Sequence, residues 1–498
     1  MTSNPNHLQQ VHIEYSHEGY KPVAHCAPEH TTYAREQDML EAGLLGRCPA
    51  HLWPHASHTA ACPRPILITK SHQQQLDDLH KALTAAITDI VSRWWTDDDA
   101  RFPERMPLDK REEELLQWLE GQVMCGNLNK FPACLGSWRP DFLVEDNPDD
   151  TAARENIRIT EINARFSFNG FMHQAYGQQA LGVFDMGPTL ADATDAEKIL
   201  DGLFGLFQRD LPLHLLKGEE NGIDIHMFTD AVRRRLGVIP TLITPADLRL
   251  LPGPQSKGGL RLCCIVNKDR EAPANSSLLT NDAGEVVEEI HQVGLELHQR
   301  ELLALDPEML RQISLRCFND MRTILLVHDK RMLGIVKQEL QPLVARKVIT
   351  QMQAKVLERG IVDTILPASD EMDRLLQACK LCPELKDAYI LKPIRGGKGA
   401  GIVFGDEVGS EEWQAALEQL RCPGDVSAAT CVVQRLIVPR RYHLVLKASG
   451  DRVQWPLVGT YHVVGGKFLG LGTWRSSSGR VCAVSTGGSW ICSVIRED

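Results

Sequence analysis

The sequence predicts a protein of mixed α/β and α+β class, and three observations carry that prediction. Between residues 181 and 340, apolar runs of strand length (VIPTLIT, RLCCIVN, TILLVHD) alternate with helical patterns (HMFTDAVRRRLG, PEMLRQISLRCFND, KRMLGIVKQELQPLV), as in an α/β lobe. From Tyr389 onward the runs AYILKPI, CVVQRLI, YHLVLKA and WPLVGTYHVVGGKFLGLGTW are strand-like, with glycine-marked turns. Earlier, CLGSWRPDFLVED and IRITEINARF flank the acidic, turn-prone DNPDDTAAREN and read as a hairpin or as adjacent strands.

The remaining elements follow in order. Residues 1–65 are rich in His, Pro and Ala without periodicity, and read as an irregular segment. Residues 66–180 start with an amphipathic helix from His72 to about Arg93 and a second over Arg111–Met124, then reach the two strands. Residues 181–340 form the α/β lobe. Residues 341–498 hold the helices KVITQMQAKVLERG and DEMDRLLQACK, a short strand near IVDTIL, and the strand-rich tail.

Composition bounds the function. The chain has 498 residues, 43% hydrophobic and 24% charged, enough for about three domains of ~150 residues or one multi-lobed enzyme. A net charge of −11 argues against nucleic acid or an anionic membrane as partner, while leaving room for phosphorylated small molecules in a local positive pocket. No apolar run reaches bilayer length and the polar start MTSNPNHLQQVHIEY is unlike a signal peptide, so a cytoplasmic setting is expected. The 14 cysteines are dispersed. Cys379-x-x-Cys382 has no second pair, and His51, His55 and His58 surround Pro54 in a loop-like context, so ordinary thiols and a surface loop are the readings taken.

Two stretches concentrate chemistry. In RITEINARFSFNG, Glu161, Asn163 and Arg165 alternate, which in a strand aims a carboxylate, a carboxamide and a guanidinium at one face. In YILKPIRGGKGAGIVF, Lys392 precedes a loop of Arg395, Gly396, Gly397, Lys398 and Gly399, whose backbone N–H groups are open to phosphate. It is no Walker loop, since Gly399 follows Lys398, and no dinucleotide fingerprint, since Ile402 stands where a third glycine is required.

Strand, lysine, glycine loop and strand, followed by VVQRLI (432–437), resemble the nucleotide-binding half of an ATP-grasp ligase. The resemblance implies that Lys392 contacts the α-phosphate, that the 395–401 loop closes over the β- and γ-phosphates, and that Gln434 and Leu436 lie in the hinge beside adenine. It also implies an earlier lysine, for which Lys347 is preferred to Lys355. Arg435 departs from the acidic residue common after that glutamine. Arg139-x-Asp141 followed by Glu161-x-Asn163, all before the glycine loop, is similar to the circularly permuted ATP-grasp branch of glutathionylspermidine synthetase and eukaryotic glutathione synthetase. That branch implies antiparallel sheets holding ATP and an additional α/β substrate lobe. Asp141, Glu161 and Asn163 would hold two magnesium ions, which favour hard oxygen ligands, and Arg139 would contact the transferred phosphoryl group. The run GTYHVVGGKFLGLGTWR resembles that branch's C-terminal pattern and makes Arg475 the arginine near the acyl acceptor.

The expected enzyme is therefore an Mg-ATP-dependent carboxylate–amine ligase acting through an acyl phosphate on a small carboxylic acid and an amine or amino acid. A nucleotide-binding scaffold and a small-molecule kinase are the alternatives; a homodimer is left open. Ser167 and Asn169 fall in the pocket-lining stretch 166–170, whose Phe166 and Phe168 serve equally as core. Arg165 is open between substrate contact and salt bridge. His328 and Arg331 follow the TILLV run, where substrate recognition competes with Asp329 capping the next helix. No Ser/His/Asp or Cys/His catalytic set stands out in the sequence.

Overall fold

The structure is a computed structural model that describes residues 7–13, 20–25, 30–146, 155–253, 256, 259–266, 277–397, 399–421 and 430–497. The largest element is a ten-stranded sheet. Its main path runs Tyr20–Pro22, Gln9–Ile13, Ala61–Ile68, Ser489–Arg496, Trp474–Ser476, Val458–Val464, Ser137–Asp146 and Glu155–Asn163. Lys467–Leu471 and Leu190–Asp192 pair off this path. The sheet is antiparallel except where Ala61–Ile68 runs parallel to Ser489–Arg496.

One face is covered by the helix Lys70–Ser92, which buries Leu76, Leu79, Leu83, Ile87 and Ile90 at helical spacing. Thr69 starts it by accepting the His72 N–H at 3.3 Å. The helix Phe171–Leu181 packs against the Ser489–Arg496 strand and against the helix His30–Arg47. A four-stranded antiparallel sheet, Thr364–Ile365, Cys431–Arg435, Tyr389–Pro393 and Val403–Phe404, has its own small core. There Leu391 and Val433 meet Met372, Leu376, Trp413 and Leu417 from the helices Asp370–Leu381 and Ser410–Arg421. The alternating middle region builds a parallel three-stranded sheet centred on His214–Lys217 and an antiparallel four-stranded sheet centred on Val286–Glu289 and Leu260–Ile265.

Two expectations differ from what is observed. The first 65 residues hold the helix His30–Arg47 and strands inside the large sheet. Ala61–Ile68 is buried at every residue, so its run ACPRPILI shows no alternation to betray a strand. The second difference is TILLV, which is a π-helical turn, Thr323–Val327, buried throughout. A short apolar run enclosed on all sides has neither period, so its sequence cannot separate helix from strand.

The helical segment that TILLV belongs to follows Asn319, whose fully buried carboxamide clamps the hairpin Ser137–Asp146/Glu155–Asn163. Oδ1 accepts the Ser137 N–H at 2.8 Å, while Nδ2 donates to the Ser137 carbonyl at 2.9 Å and the Ala164 carbonyl at 3.1 Å. Gly136, at φ +69°, makes room: a Cβ there would lie 2.5 Å from Asn319 Oδ1. Replacing Asn319 by Leu leaves one backbone donor and two carbonyls buried without this partner. The variant should lose about 2–4 kcal/mol in denaturant unfolding or fail to accumulate folded. A loss below about 1 kcal/mol would show that the hairpin is held by other contacts.

Candidate active site

The hairpin's site face lines a cavity of about 1180 Å3, whose opposite wall is the four-stranded sheet with its glycine loop. Pairing across the hairpin sets Asp141 opposite Glu161 and Arg139 opposite Asn163. All four line the cavity, as do Arg165 and Asn169 further along the chain. The register slips between Asp141 and Phe142, leaving Thr160 as an unpaired bulge. The bulge turns the Thr160 carbonyl toward the other sheet, where it accepts from Lys392 Nζ at 3.1 Å and Gln434 Nε2 at 3.2 Å.

Facing carboxylates need cations, and the site supplies four. Arg139 grips Asp141 through Nε at 2.9 Å and the Asn169 side chain through Nη1 at 2.9 Å. Arg475 Nη2 donates to the other Asp141 oxygen. Glu161 lies 3.1 Å from Lys392 Nζ and 3.4 Å from Lys330 Nζ. Burial pushes the Glu161 pKa up, but Lys392 and then Lys330 outweigh it and hold the carboxyl well below its ordinary range. Asn163 donates to Glu161 at 3.4 Å.

The glycine loop is anchored at its start. Arg395 binds both oxygens of buried Glu112 at 2.6 and 2.7 Å and Asp329 at 3.0 Å, so its charge is already matched. Lys330 Nζ donates to the Gly396 carbonyl at 2.7 Å. Gly396, Gly397 and Gly399 line the cavity; Lys398 lies outside the described residues. Gly399, at φ +73°, sits so close to Val481 that a Cβ would fall 2.1 Å from its methyl group. Gln434 and Leu436 line the same wall, and the departure at Arg435 is paired with Glu145 at 3.1 Å and Asp363 at 3.4 Å.

Three expected residues lie elsewhere. Lys347 is exposed at positive φ (+61°) beyond the Leu340–Ala345 helix and does not line the cavity. Lys330, which also does not line the cavity, is buried and touches both Glu161 and the loop. Its sequence signal is the polar cluster HDKR, in which His328 and Arg331 are the expected site residues. Arg331 points into the interior, bound to Asp329 at 2.7 Å and the Pro107 carbonyl at 2.8 Å. Asp329 also accepts the Arg331 N–H at 2.9 Å, although the N-cap position of the Arg331–Gln338 helix is Lys330, which makes no side-chain cap bond. Ser167 is fully buried against Leu295, and Phe168 stacks on Phe228, whereas Phe166 reaches the cavity. His328 lines the cavity from the end of the π-helical turn rather than from a strand.

The chain is 34% identical, over 96% of its length and 97% of the relative's, to the ATP-grasp enzyme ankG of Aspergillus thermomutatus. It belongs to the ATP-grasp enzymes. The family model for the AnkG N-terminal domain matches residues 79–326. A glutathione synthetase-like effector (GSS30) from Globodera pallida, solved without ligand, has a similar fold: TM-score 0.52 at 11% identity, covering 94% of this chain and 98% of that one. The mixed sheet architecture is consistent with both likenesses, and the expectation of an ATP-grasp enzyme is met.

Mg-ATP is the ligand pair ATP-grasp enzymes generally use, and the residues present fit it. Asp141, Glu161 and Asn163 offer only hard oxygen donors on one face. Arg165 and Arg475 line the cavity, and the Nε of each is buried with no hydrogen-bond acceptor among the described residues, so the lining includes guanidinium groups suited to an anion. Burial, with Arg165 and Lys330 nearby, pushes the His328 imidazole from 6.5 down to about 3. The folded state therefore keeps His328 neutral where the unfolded chain protonates it. Its contribution is intact above pH 6.5 and lost as pH falls toward about 3. His328→Asn should flatten unfolding free energy against pH across that window; an unchanged slope would show that His328 is not held neutral.

Proposed function

We propose that this ATP-grasp enzyme is a circularly permuted, Mg-ATP-dependent ligase that joins a small carboxylic acid to an amine through an acyl phosphate. The carrying observation is the Asp141–Glu161 pair with Asn163, set in one cavity with Lys392 and the glycine loop, while buried Lys330 ties Glu161 to that loop. Permutation is supported by chain order, since this hairpin precedes the Tyr389–Pro393 strand and its loop.

In this reading the substrate carboxylate attacks the γ-phosphorus, ADP leaves, and an amine then attacks the acyl carbon and expels phosphate. Magnesium, when bound to Asp141, Glu161 and Asn163, offsets charge on the phosphate oxygens. Lys392 holds the nucleotide's phosphates over that face, and Lys330 fixes the glycine loop through the Gly396 carbonyl. Arg139 and Arg475, steered by Asp141, present guanidinium groups to the transferred phosphoryl oxygens, where charge spreads in the transition state. Gln434 and Leu436 bound the adenine end, and Arg395 keeps the loop in place through Glu112 and Asp329. Arg165 and His328 lie on the acid's side of the cavity.

The test is ADP release with ATP, magnesium and paired pools of carboxylic acids and amines. A ligase requires both pools, a kinase gives a stable phosphorylated product from one, and a scaffold gives no turnover. Glu161→Gln should abolish ADP release, and Arg475→Ala should lower kcat by about 10²–10³-fold. Lys392→Ala should raise the ATP concentration needed for half-maximal rate. Full activity in Glu161→Gln would remove this hairpin from the reaction.

A further inference from the structure

A second set of reactive side chains opens onto the same cavity. Ser57, His173 and Asp224 come from three separate segments: the Pro54–Ala60 turn, the first turn of the Phe171–Leu181 helix, and the residue before the Ile225–Leu236 helix. Ser57 Oγ lies 2.8 Å from His173 Nε2, and His173 Nδ1 lies 2.7 Å from Asp224 Oδ1. Asp224 is fully buried, and its other oxygen accepts the Met172 N–H at 2.9 Å, which fixes the carboxylate. A carboxylate facing Nδ1 selects the tautomer with the proton there, leaving the Nε2 lone pair to accept the Ser57 hydroxyl proton.

The surroundings hold this arrangement. The His173 ring stands edge-on to Trp53 at 5.2 Å and to Trp490 at 5.7 Å, and Trp490 Nε1 donates to the Ser57 carbonyl at 2.7 Å. His55 and Ala56, just before Ser57, both have left-handed backbone, φ +50° and +52°. Two consecutive non-glycine residues in that region are costly, and such strain gathers at functional turns. Ser57 and His173 are largely buried but both line the cavity that also holds Arg139, Asp141 and Gly170.

We propose that Ser57, His173 and Asp224 form an acyl-transfer centre in which Ser57 is the nucleophile, His173 the base and Asp224 the residue that orients it. The substrate class is a carboxylic acid derivative, an ester or an acyl phosphate. Ser57 Oγ bonds to the acyl carbon as its proton passes to His173 Nε2. The bond from acyl carbon to leaving-group oxygen breaks, and a leaving alkoxide takes the proton from Nε2, whereas phosphate leaves as its anion. Water or an amine then attacks the acyl-serine and restores the hydroxyl. The proposal goes beyond the ligase reading, since it requires no ATP.

The test uses the full chain without nucleotide and two probes, p-nitrophenyl acetate and a fluorophosphonate. The expected result is release of p-nitrophenol and a covalent phosphonyl adduct on the peptide bearing Ser57. Ser57→Ala removes the adduct, and His173→Gln slows its formation by about 10²-fold or more. Asp224→Asn gives a second slow variant in case His173→Gln does not fold. If the set only ties three segments together, folded wild-type protein gives no adduct at Ser57. That result overturns the proposal, as does labelling in His173→Gln and Asp224→Asn at the wild-type rate. ADP release by the wild-type protein is scored separately, so this failure stays distinct from failure of the ligase reading.

Discussion

Two carboxylates stand directly opposite each other in a β-ladder, Asp141 on one strand and Glu161 on the next. Like charges so placed repel, and most of the site's construction answers that repulsion. Arg139 and Arg475 converge on Asp141, Lys392 and Lys330 on Glu161. The four cations come from four different places in the chain, so the large sheet, the glycine-loop sheet and the segment after the π-helical turn are all drawn to one ladder position. The same excess of charge suits the pair to divalent cations and the lysines and arginines to phosphate. Electrostatic assembly and the proposed chemistry use the same groups.

The parts of this arrangement that repeat locally were legible in the sequence. Glu161 and Asn163 declare a strand face by their spacing, although the strand ends at Asn163 and leaves Arg165 in a bend beyond it, and Lys392 with its glycines declares a cationic loop. Relations between distant segments were not legible. Lys347 and Lys330 are equivalent as letters; only the packing of the π-helical turn against the hairpin buries Lys330 beside Glu161 and leaves Lys347 in solvent. Arg395 looked like a free phosphate ligand because its partners, Glu112 and Asp329, lie far from it in sequence. Ser57, His173 and Asp224 were invisible for the same reason, each sitting in an unremarkable local context.

Fold and site failed to show themselves in different ways. TILLV and ACPRPILI were misread because complete burial removes the alternation that marks secondary structure. The clamp at Asn319 leaves no mark in the sequence, because its partners are backbone groups of Ser137 and Ala164. Backbone partners leave no trace in residue identity.

That last property reaches its limit at Thr160. The junction between the two walls of the cavity is made by a carbonyl oxygen, a group every amino acid carries, so the information specifying it is where the residue falls rather than which residue it is. The Thr160 side chain adds only one bond, its hydroxyl donating to the Asp141 carbonyl at 3.3 Å. Removing Thr160 is another matter: the ladder closes into regular pairing with Asp141 still opposite Glu161, and the carbonyl that accepts from Lys392 and Gln434 is lost with the bulge. The joint is tolerant of spelling and intolerant of length.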